Sequence, residues 1–195
     1  MRRFDRKVSE ESLIDEMLKM FDVVHVGFTD ENCPYVVPMN FGYEIKDHQL
    51  YIYVHSALKG KKVELAEKHP YVSITLSAFH DFPDCKYKGH YHDYRSVMGQ
   101  GNIERIDPHD HFELYKHGFD LLYTCNHRET KPLDPLHLPP MHLYCITCDM
   151  KNVTAKSEFP IRNKEDVPFL DVYSLPHDET PFDISDLIEK HKPEK

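Results

Sequence analysis

Two spacings of apolar residues distinguish the predicted helices from the predicted strands. One stripe at helical spacing lies near the N-terminus and consists of Leu13, Ile14, Met17, Leu18 and Phe21. Ser9 precedes this stripe and is suited to cap a helix that continues to about Phe21. Runs rich in β-branched and aromatic residues, bounded by turn residues, predict strands instead. The predicted strands are residues 23–29, 35–43, 50–55, 71–79, 94–106 and 142–148.

Two more helices are predicted between these strands. The first covers residues 59–69, and Pro70 ends it because proline disfavours helical geometry in the residue before it. The second begins at Pro108, with Asp107 as its capping residue. Its apolar face consists of Phe112, Tyr115, Phe119 and Leu122. The pattern therefore indicates a mainly β core with flanking helices.

Proline and glycine interrupt two of the predicted strands. Pro38 lies within the second strand and cannot donate to a β-ladder, which indicates an edge strand or a bulge. Gly99 and Gly101 weaken the strand of residues 94–106 unless a bulge or another backbone lies close to them. Such interruptions make backbone groups available to a ligand.

Length and composition predict one domain with an appendage. A chain of 195 residues can bury one core, which we assign to residues 1–156. Residues 157–195 form an acidic, proline-containing extension with a short predicted helix at 184–191. The net charge of −9 argues against nonspecific nucleic-acid binding. The absence of a membrane-length apolar run or a secretory signal, together with five irregularly spaced cysteines, predicts a cytoplasmic protein with reduced thiols.

A basic segment lies between the strand of residues 50–55 and the helix that follows it. Residues 55–62, with the sequence HSALKGKK, combine a hydroxyl and three lysines with the N-terminus of a helix. Free N–H groups and the helix dipole favour an anion there, and we predict a phosphate. The alternative is a solvated loop with ordinary surface lysines.

Three segments of the chain form a linked set of motifs: YVVPMNFGY at 35–43, LYIYVHSA at 50–57 with Gly60-Lys61-Lys62, and YRSVMGQG at 94–101. Together they resemble the FMN-binding split-barrel proteins related to pyridoxamine 5′-phosphate oxidase, in particular their nitroimidazole-resistance branch. The resemblance covers residues 2–156 and implies a six-stranded split β-barrel that forms a homodimer with FMN in the grooves between subunits. The loop at 80–93 and the tail after residue 156 depart from it.

The resemblance also implies a set of cofactor-binding residues. In that family the Pro-Met-Asn segment lines the flavin ring, and the segment from His-Ser to Lys-Lys holds the phosphate. The implied contacts are Pro38, Met39, Asn40, Tyr53, His55, Ser56, Lys61 and Lys62, with Arg95 and Ser96 reaching in from the facing subunit. His55 is the candidate acid or base near the ring, and a phosphate contact is its alternative role.

The function implied is an FMN-dependent oxidoreductase, with a reduced nicotinamide as donor and a nitroaromatic or quinone-like acceptor. The alternative is a flavin- or haem-binding protein without turnover, because fold alone does not determine function. The histidines at residues 80–111 raise the question of a metal or haem site, but their spacing matches no ligand motif, and we predict no metal. Cys145 and Cys148 are three residues apart on a strand and point to opposite faces, which favours two structural thiols.

Overall fold

The computed structural model describes residues 6–81, 92–159 and 161–169. Three α-helices are present in these residues: α1 Glu11–Leu18, α2 Lys61–Lys68 and α3 Phe112–Cys125. The strands are β1 Lys7–Val8, β2 Val24–Phe28, β3 Tyr35–Met39, β4 Phe41–Lys46, β5 Gln49–Ala57, β6 Tyr71–Asp81, β7 His92–Ile106, β8 Met141–Asp149 and β9 Thr154–Ser157. The mainly β architecture with flanking helices is confirmed. None of the helices in the described ranges has the length and apolarity needed to cross a membrane.

The described residues form two compact units. The central unit lies within residues 21–76 and 98–153, and the terminal unit lies within residues 1–20, 77–97 and 154–195. The strand order is β3-β2-β6-β7-β8-β5-β4, with β9 paired to β1 and β7 in the terminal unit. The described sheet has nine strands where six were expected, because a break at Asn40 divides residues 35–46 into β3 and β4, and because β1 and β9 were too short to predict.

The hairpin between β4 and β5 fixes the register of the site-bearing strand β5. Asp47 and His48 have φ values of 51° and 59°, as a two-residue turn with left-handed geometry requires. Lys46 therefore pairs with Gln49, and the register continues to Phe41 opposite Val54. β5 also pairs with β8 along its whole length. β5 is therefore held on both sides as it approaches the basic segment.

Several predicted boundaries are wrong by a few residues. The N-cap of α1 is Glu10 rather than Ser9, and α1 ends at Leu18, although Phe21 is still buried. α3 begins at Phe112 and not at Pro108. The reason is that the Asp107 carboxylate accepts the His109 N–H at 2.9 Å and closes a turn there instead of capping the helix. The predicted helix at 184–191 and most of the predicted loop, residues 82–91, lie outside the described residues.

The two strand interruptions have different causes. Pro38 lies on β3, at one end of the strand order, so the predicted edge position is confirmed. At Gly101 an added Cβ would lie 2.1 Å from the Thr147 carbonyl oxygen, which confirms the predicted close approach of another backbone. Gly99 instead faces side chains, with Ile74 at 3.3 Å from the position of a Cβ.

Candidate functional site

The position of α3 on the sheet is fixed by two glycines. At Gly42 on β4 an added Cβ would lie 2.5 Å from the backbone of α3 at Leu122. At Gly118 on α3 it would lie 2.6 Å from the Tyr53 ring. Distances this short leave no space for the Cβ of a larger residue. Helix and sheet therefore approach each other closely at both glycines. The C-terminal end of α3 is thereby held beside the end of β5.

A helix cap directs Arg128 away from α3. The His127 N–H donates to the Thr124 carbonyl at 3.1 Å, and the Arg128 N–H donates to the Tyr123 carbonyl at 2.9 Å. These are the two hydrogen bonds of a Schellman motif, in which the residue at the position of His127 has a left-handed conformation. His127 has a φ of 54°, although glycine is usual there. The chain therefore turns sharply and places Arg128 beside β5.

Asn126 connects this cap to the junction between β3 and β4. Its Nδ2 donates to the carbonyl oxygens of Leu122 at 2.7 Å and Phe41 at 3.0 Å. Its Oδ1 accepts a hydrogen bond from Nδ2 of Asn40 at 3.2 Å. Asn40, which belongs to the predicted Pro-Met-Asn segment, is thus oriented by the end of α3.

A cavity of about 190 Å³ lies at this point in the central unit. Its polar lining comes from Asn40, His55, Asn126 and Arg128. Its apolar and aromatic lining comes from Phe119, Leu122, Tyr123 and Met141. We refer to it as the first cavity. Polar groups on one part and apolar side chains on the rest are typical of a site for a small organic ligand.

Positive charge is concentrated beside this cavity. Within the described ranges neither Lys62 nor Arg128 has a carboxylate at ion-pair distance. Burial lowers the pKa of Lys62 from its ordinary value. Burial also lowers the pKa of His55, and the charges of Lys62 and Arg128 lower it further. A neutral imidazole close to two cations that have no carboxylate partner in the described ranges suits an anion that accepts hydrogen bonds.

Only part of the predicted site is brought together here. Asn40 and His55 line the first cavity, and the charge of Lys62 acts on His55. Lys61, its neighbour, forms an ion pair with Asp30 at 2.7 Å and lies over the Tyr35 ring. This pairing raises the pKa of Lys61. The two adjacent lysines therefore have different surroundings.

The other predicted residues of the central unit have mixed environments. Ser56 is buried and donates to the Ala57 carbonyl at 3.0 Å. On β3, Pro38 is exposed and Met39 is buried. Tyr53 is buried against α3, and its hydroxyl donates to Glu44 at 2.9 Å. Burial, followed by this hydrogen bond, raises the pKa of Tyr53. The structure thus places Tyr53 in the core that supports the site.

Arg95 has different partners from those that the resemblance implied. It lies in the terminal unit, is 1% exposed, and forms an ion pair with Asp93. Its Nε donates to the Val167 carbonyl at 3.0 Å, and Nη2 donates to the carbonyls of Asp166 and Pro168, both at 3.2 Å. In the described residues the guanidinium therefore binds groups of its own chain. Ser96, beside it on β7, is half-buried.

Sequence reasoning missed Asn126 and Arg128. Both lie in the segment 124–140, whose prolines and polar residues indicated only a loop. The available signal was Asn126 just after the last apolar position of α3, because asparagine is common near helix C-termini. No sequence pattern indicated that Arg128 would lie near His55.

The cysteines and histidines form no additional site in the described ranges. No group of three or more His, Cys, Asp or Glu side chains there is placed to hold a metal ion. Cys145 is half-buried and Cys148 fully buried, and both are free thiols. Burial raises the pKa of Cys145 to about 11 and that of Cys148 to about 12. Both thiols are therefore protonated at neutral pH and poorly reactive.

Several solved structures share this fold. A candidate 5-nitroimidazole antibiotic resistance protein from Bacteroides thetaiotaomicron is 26% identical with a TM-score of 0.64, over 77% of this chain and 86% of that chain. A FAD and heme binding protein from Mycobacterium smegmatis is 16% identical with a TM-score of 0.63, over 83% of this chain and 78% of that chain. The flavocytochrome Anf3 from Azotobacter vinelandii is 19% identical with a TM-score of 0.60, over 95% of this chain and 89% of that chain.

The proteins from Mycobacterium smegmatis and Azotobacter vinelandii have low sequence identity to this chain, so their similarity shows the fold alone. No curated protein matches the chain in sequence. The family model of pyridoxamine 5′-phosphate oxidase matches residues 10–151. This match covers most of the chain, including β2 to β8 and all three helices, and it confirms the expected split-barrel fold. The chain therefore belongs to the pyridoxamine 5′-phosphate oxidase family.

Proposed function

We propose that the protein binds a flavin, FMN, with the phosphate beside Lys62 and Arg128 and the ring toward Asn40. The observation that carries this proposal is the presence of two cations, without a carboxylate partner among the described residues, beside a largely apolar cavity that is also lined by the neutral donor His55. A phosphate fits such a group, because charged donors form strong hydrogen bonds to its oxygens. Family membership and the flavin-binding proteins of the same fold support the choice of a flavin.

We further propose that the protein is a cytoplasmic homodimer whose second subunit completes the flavin site. The first cavity measures about 190 Å³, below the roughly 300–1,000 Å³ usual for small-molecule sites. A single chain thus offers one part of a larger site. Arg95 has no place in this proposal, because its guanidinium is bound within its own chain.

The proposed activity is reduction of a small nitroaromatic or quinone-like acceptor by NADH or NADPH. The chemistry that a bound flavin supplies is electron transfer between such a donor and acceptor. The protein would bind and orient the reactants and limit the access of water. His55 is the acid–base candidate, because its lowered pKa leaves the imidazole neutral at pH 7 and able to accept a proton.

The absorption spectrum of the purified protein tests the cofactor. A flavin band is expected, whereas a haem band without flavin would support the alternative of a haem-binding protein. The flavin-loaded protein is then mixed anaerobically with NADH or NADPH. Bleaching of the flavin band, followed by recovery when a nitroimidazole or a quinone is added, is the expected result. Reduction by dithionite but by neither nucleotide would contradict the proposed activity while leaving flavin binding intact.

A further inference from the structure

A second cavity lies next to the first, and Met141 lines both. It has a volume of about 250 Å³ and belongs wholly to the central unit. The C-terminal end of β7, the turn that follows it, α3 and residues 138–142 surround it. A molecule bound there would contact Met141, which a molecule in the first cavity would also contact. The two cavities therefore offer neighbouring positions for two ligands.

The walls of the second cavity are largely apolar. Leu58, Ile106 and Leu138 line it, together with Pro108 and Pro139. Leu58 is 48% exposed, so much of its apolar surface is in contact with water. A ring or another apolar body would cover these side chains and remove their surface from water. The ligand should accordingly have an apolar body of modest size.

The polar lining of the second cavity favours an anionic group. Arg105 contributes a guanidinium whose nearest carboxylate, on Glu67, is 3.9 Å away, beyond hydrogen-bond distance. Both side chains of this pair are about half exposed, so the pair holds the guanidinium weakly. His109 and His142 add imidazole donors. Because no carboxylate of the described residues lies closer to the Arg105 guanidinium, two of its parallel N–H groups can bind one carboxylate.

One lining group has the opposite charge. Asp107 also lines this cavity, and its Oδ1 accepts the backbone N–H of His109 at 2.9 Å. This hydrogen bond places the carboxylate in the turn, but its charge still opposes an anion nearby. Removal of the Asp107 charge should therefore increase the affinity of the second cavity for an anion. Removal of the Arg105 charge should have the opposite effect.

We propose that the second cavity binds a small carboxylate with an apolar ring, held by Arg105 and enclosed by Leu58, Ile106 and Leu138. This rests on the proposed function only in assigning the ligand a role as the electron acceptor beside the flavin. A carboxylate is favoured because it matches the planar guanidinium with two hydrogen bonds. A nitroaromatic acceptor that carries a carboxylate should therefore be preferred to its uncharged analogue.

The experiment compares 4-nitrobenzoate with the uncharged 4-nitrobenzamide by equilibrium dialysis against the purified protein, with excess FMN present. Saturable binding of the carboxylate at one site per chain, about tenfold or more tighter than the amide, is expected from one charge-assisted contact. Arg105→Gln should remove this preference, and Asp107→Asn should strengthen binding. The control Arg162→Gln, at an exposed position in the terminal unit, should leave binding unchanged.

Equal affinity for the two compounds, or unchanged carboxylate binding in Arg105→Gln, would overturn the proposal. Loss of binding in Lys62→Gln but not in Arg105→Gln would also overturn it, because the carboxylate would then occupy the first cavity. Flavin content, read from the absorption band of the purified protein before any FMN is added, tests the proposed function separately. Arg105-dependent binding without any flavin would support the carboxylate site and reject its role as an acceptor site.

Discussion

The contrast between Lys62 and Lys61 gives the sharpest test of the phosphate site. The two lysines are neighbours in sequence, but Lys62 has no carboxylate partner in the described ranges, whereas Lys61 is paired with Asp30 at 2.7 Å. If Lys62 contacts the phosphate, Lys62→Gln removes one charge-assisted hydrogen bond, worth about 1.5–3 kcal/mol. The dissociation constant for FMN should then rise by about 10- to 150-fold. Lys61→Gln removes only a half-exposed ion pair, worth at most about 1 kcal/mol to folding. It should change the dissociation constant for FMN by less than about threefold.

The assay is titration of flavin-free protein with FMN, followed by the change in flavin fluorescence. Lys46→Gln, at an exposed position at the end of β4, serves as the matched control. Urea unfolding of each variant shows whether the fold is retained. Equal losses of affinity in Lys61→Gln and Lys62→Gln would refute the assignment, because the effect would then follow the charge of the segment rather than the surroundings of one side chain.

Four further changes test other parts of the structure. Gly42→Ala places a methyl group against the α3 backbone and should cost about 1–3 kcal/mol of unfolding free energy and weaken FMN binding, measured by urea unfolding and titration. His127→Gly relieves the left-handed φ of 54° and should raise the melting temperature, because this relief exceeds the cost of the greater freedom of glycine in the unfolded chain. Arg95→Ala removes the buried ion pair with Asp93 and the hydrogen bonds to residues 166–168, and it should cost about 3–5 kcal/mol on urea unfolding without weakening FMN binding to the folded protein. The pKa of His55 is lower in the folded protein than its ordinary value of 6.5. The contribution of His55 to stability is therefore present above pH 6.5 and is lost as the pH falls below 6.5. The unfolding free energy, measured from pH 7 downward, should decrease less in His55→Gln than in the unchanged protein.

The sequence predicted the strands well because their patterns are local. β6 alternates between exposed and buried residues from Tyr71 to Ser77, and the alternation is visible in the residue types alone. Gly101 was also interpretable, since a glycine inside a strand usually has a neighbouring backbone as its reason. The Thr147 carbonyl is that neighbour. Features determined within one strand, or between two adjacent strands, were therefore accessible from sequence.

The site was less predictable because it depends on residues that are distant in sequence. Asn40 and Asn126 are joined by a hydrogen bond across 86 positions, and neither residue signals the other. Arg128 reaches the first cavity only because His127 adopts a left-handed conformation, which the sequence would have indicated more clearly with glycine. The difference between Lys61 and Lys62 likewise depends on Asp30. The spacing of the motif identified the basic segment at residues 55–62. It did not indicate which of its lysines lacks a carboxylate partner in the described ranges.

The partners of Arg95 in the terminal unit were also not predictable from the sequence. Arg95 was assigned to a facing subunit on the strength of the motif in which it stands, but its hydrogen bonds go to carbonyls of residues 166–168, more than 70 positions away. Those residues belong to the segment predicted as an extension. Its irregular, proline-containing sequence gave no indication that a buried arginine would bind its backbone.

The position of Pro38 on the edge strand β3 limits how two copies of the chain can associate. In the described residues β3 pairs only with β2, so its other side offers backbone groups to a further strand. Pro38 has no N–H to donate, and proline on an edge strand is one of the features that prevent continuous sheets and aggregation. A strand of a second chain that paired with β3 would lack one backbone hydrogen bond at Pro38. The protein should therefore resist strand-by-strand aggregation at this edge.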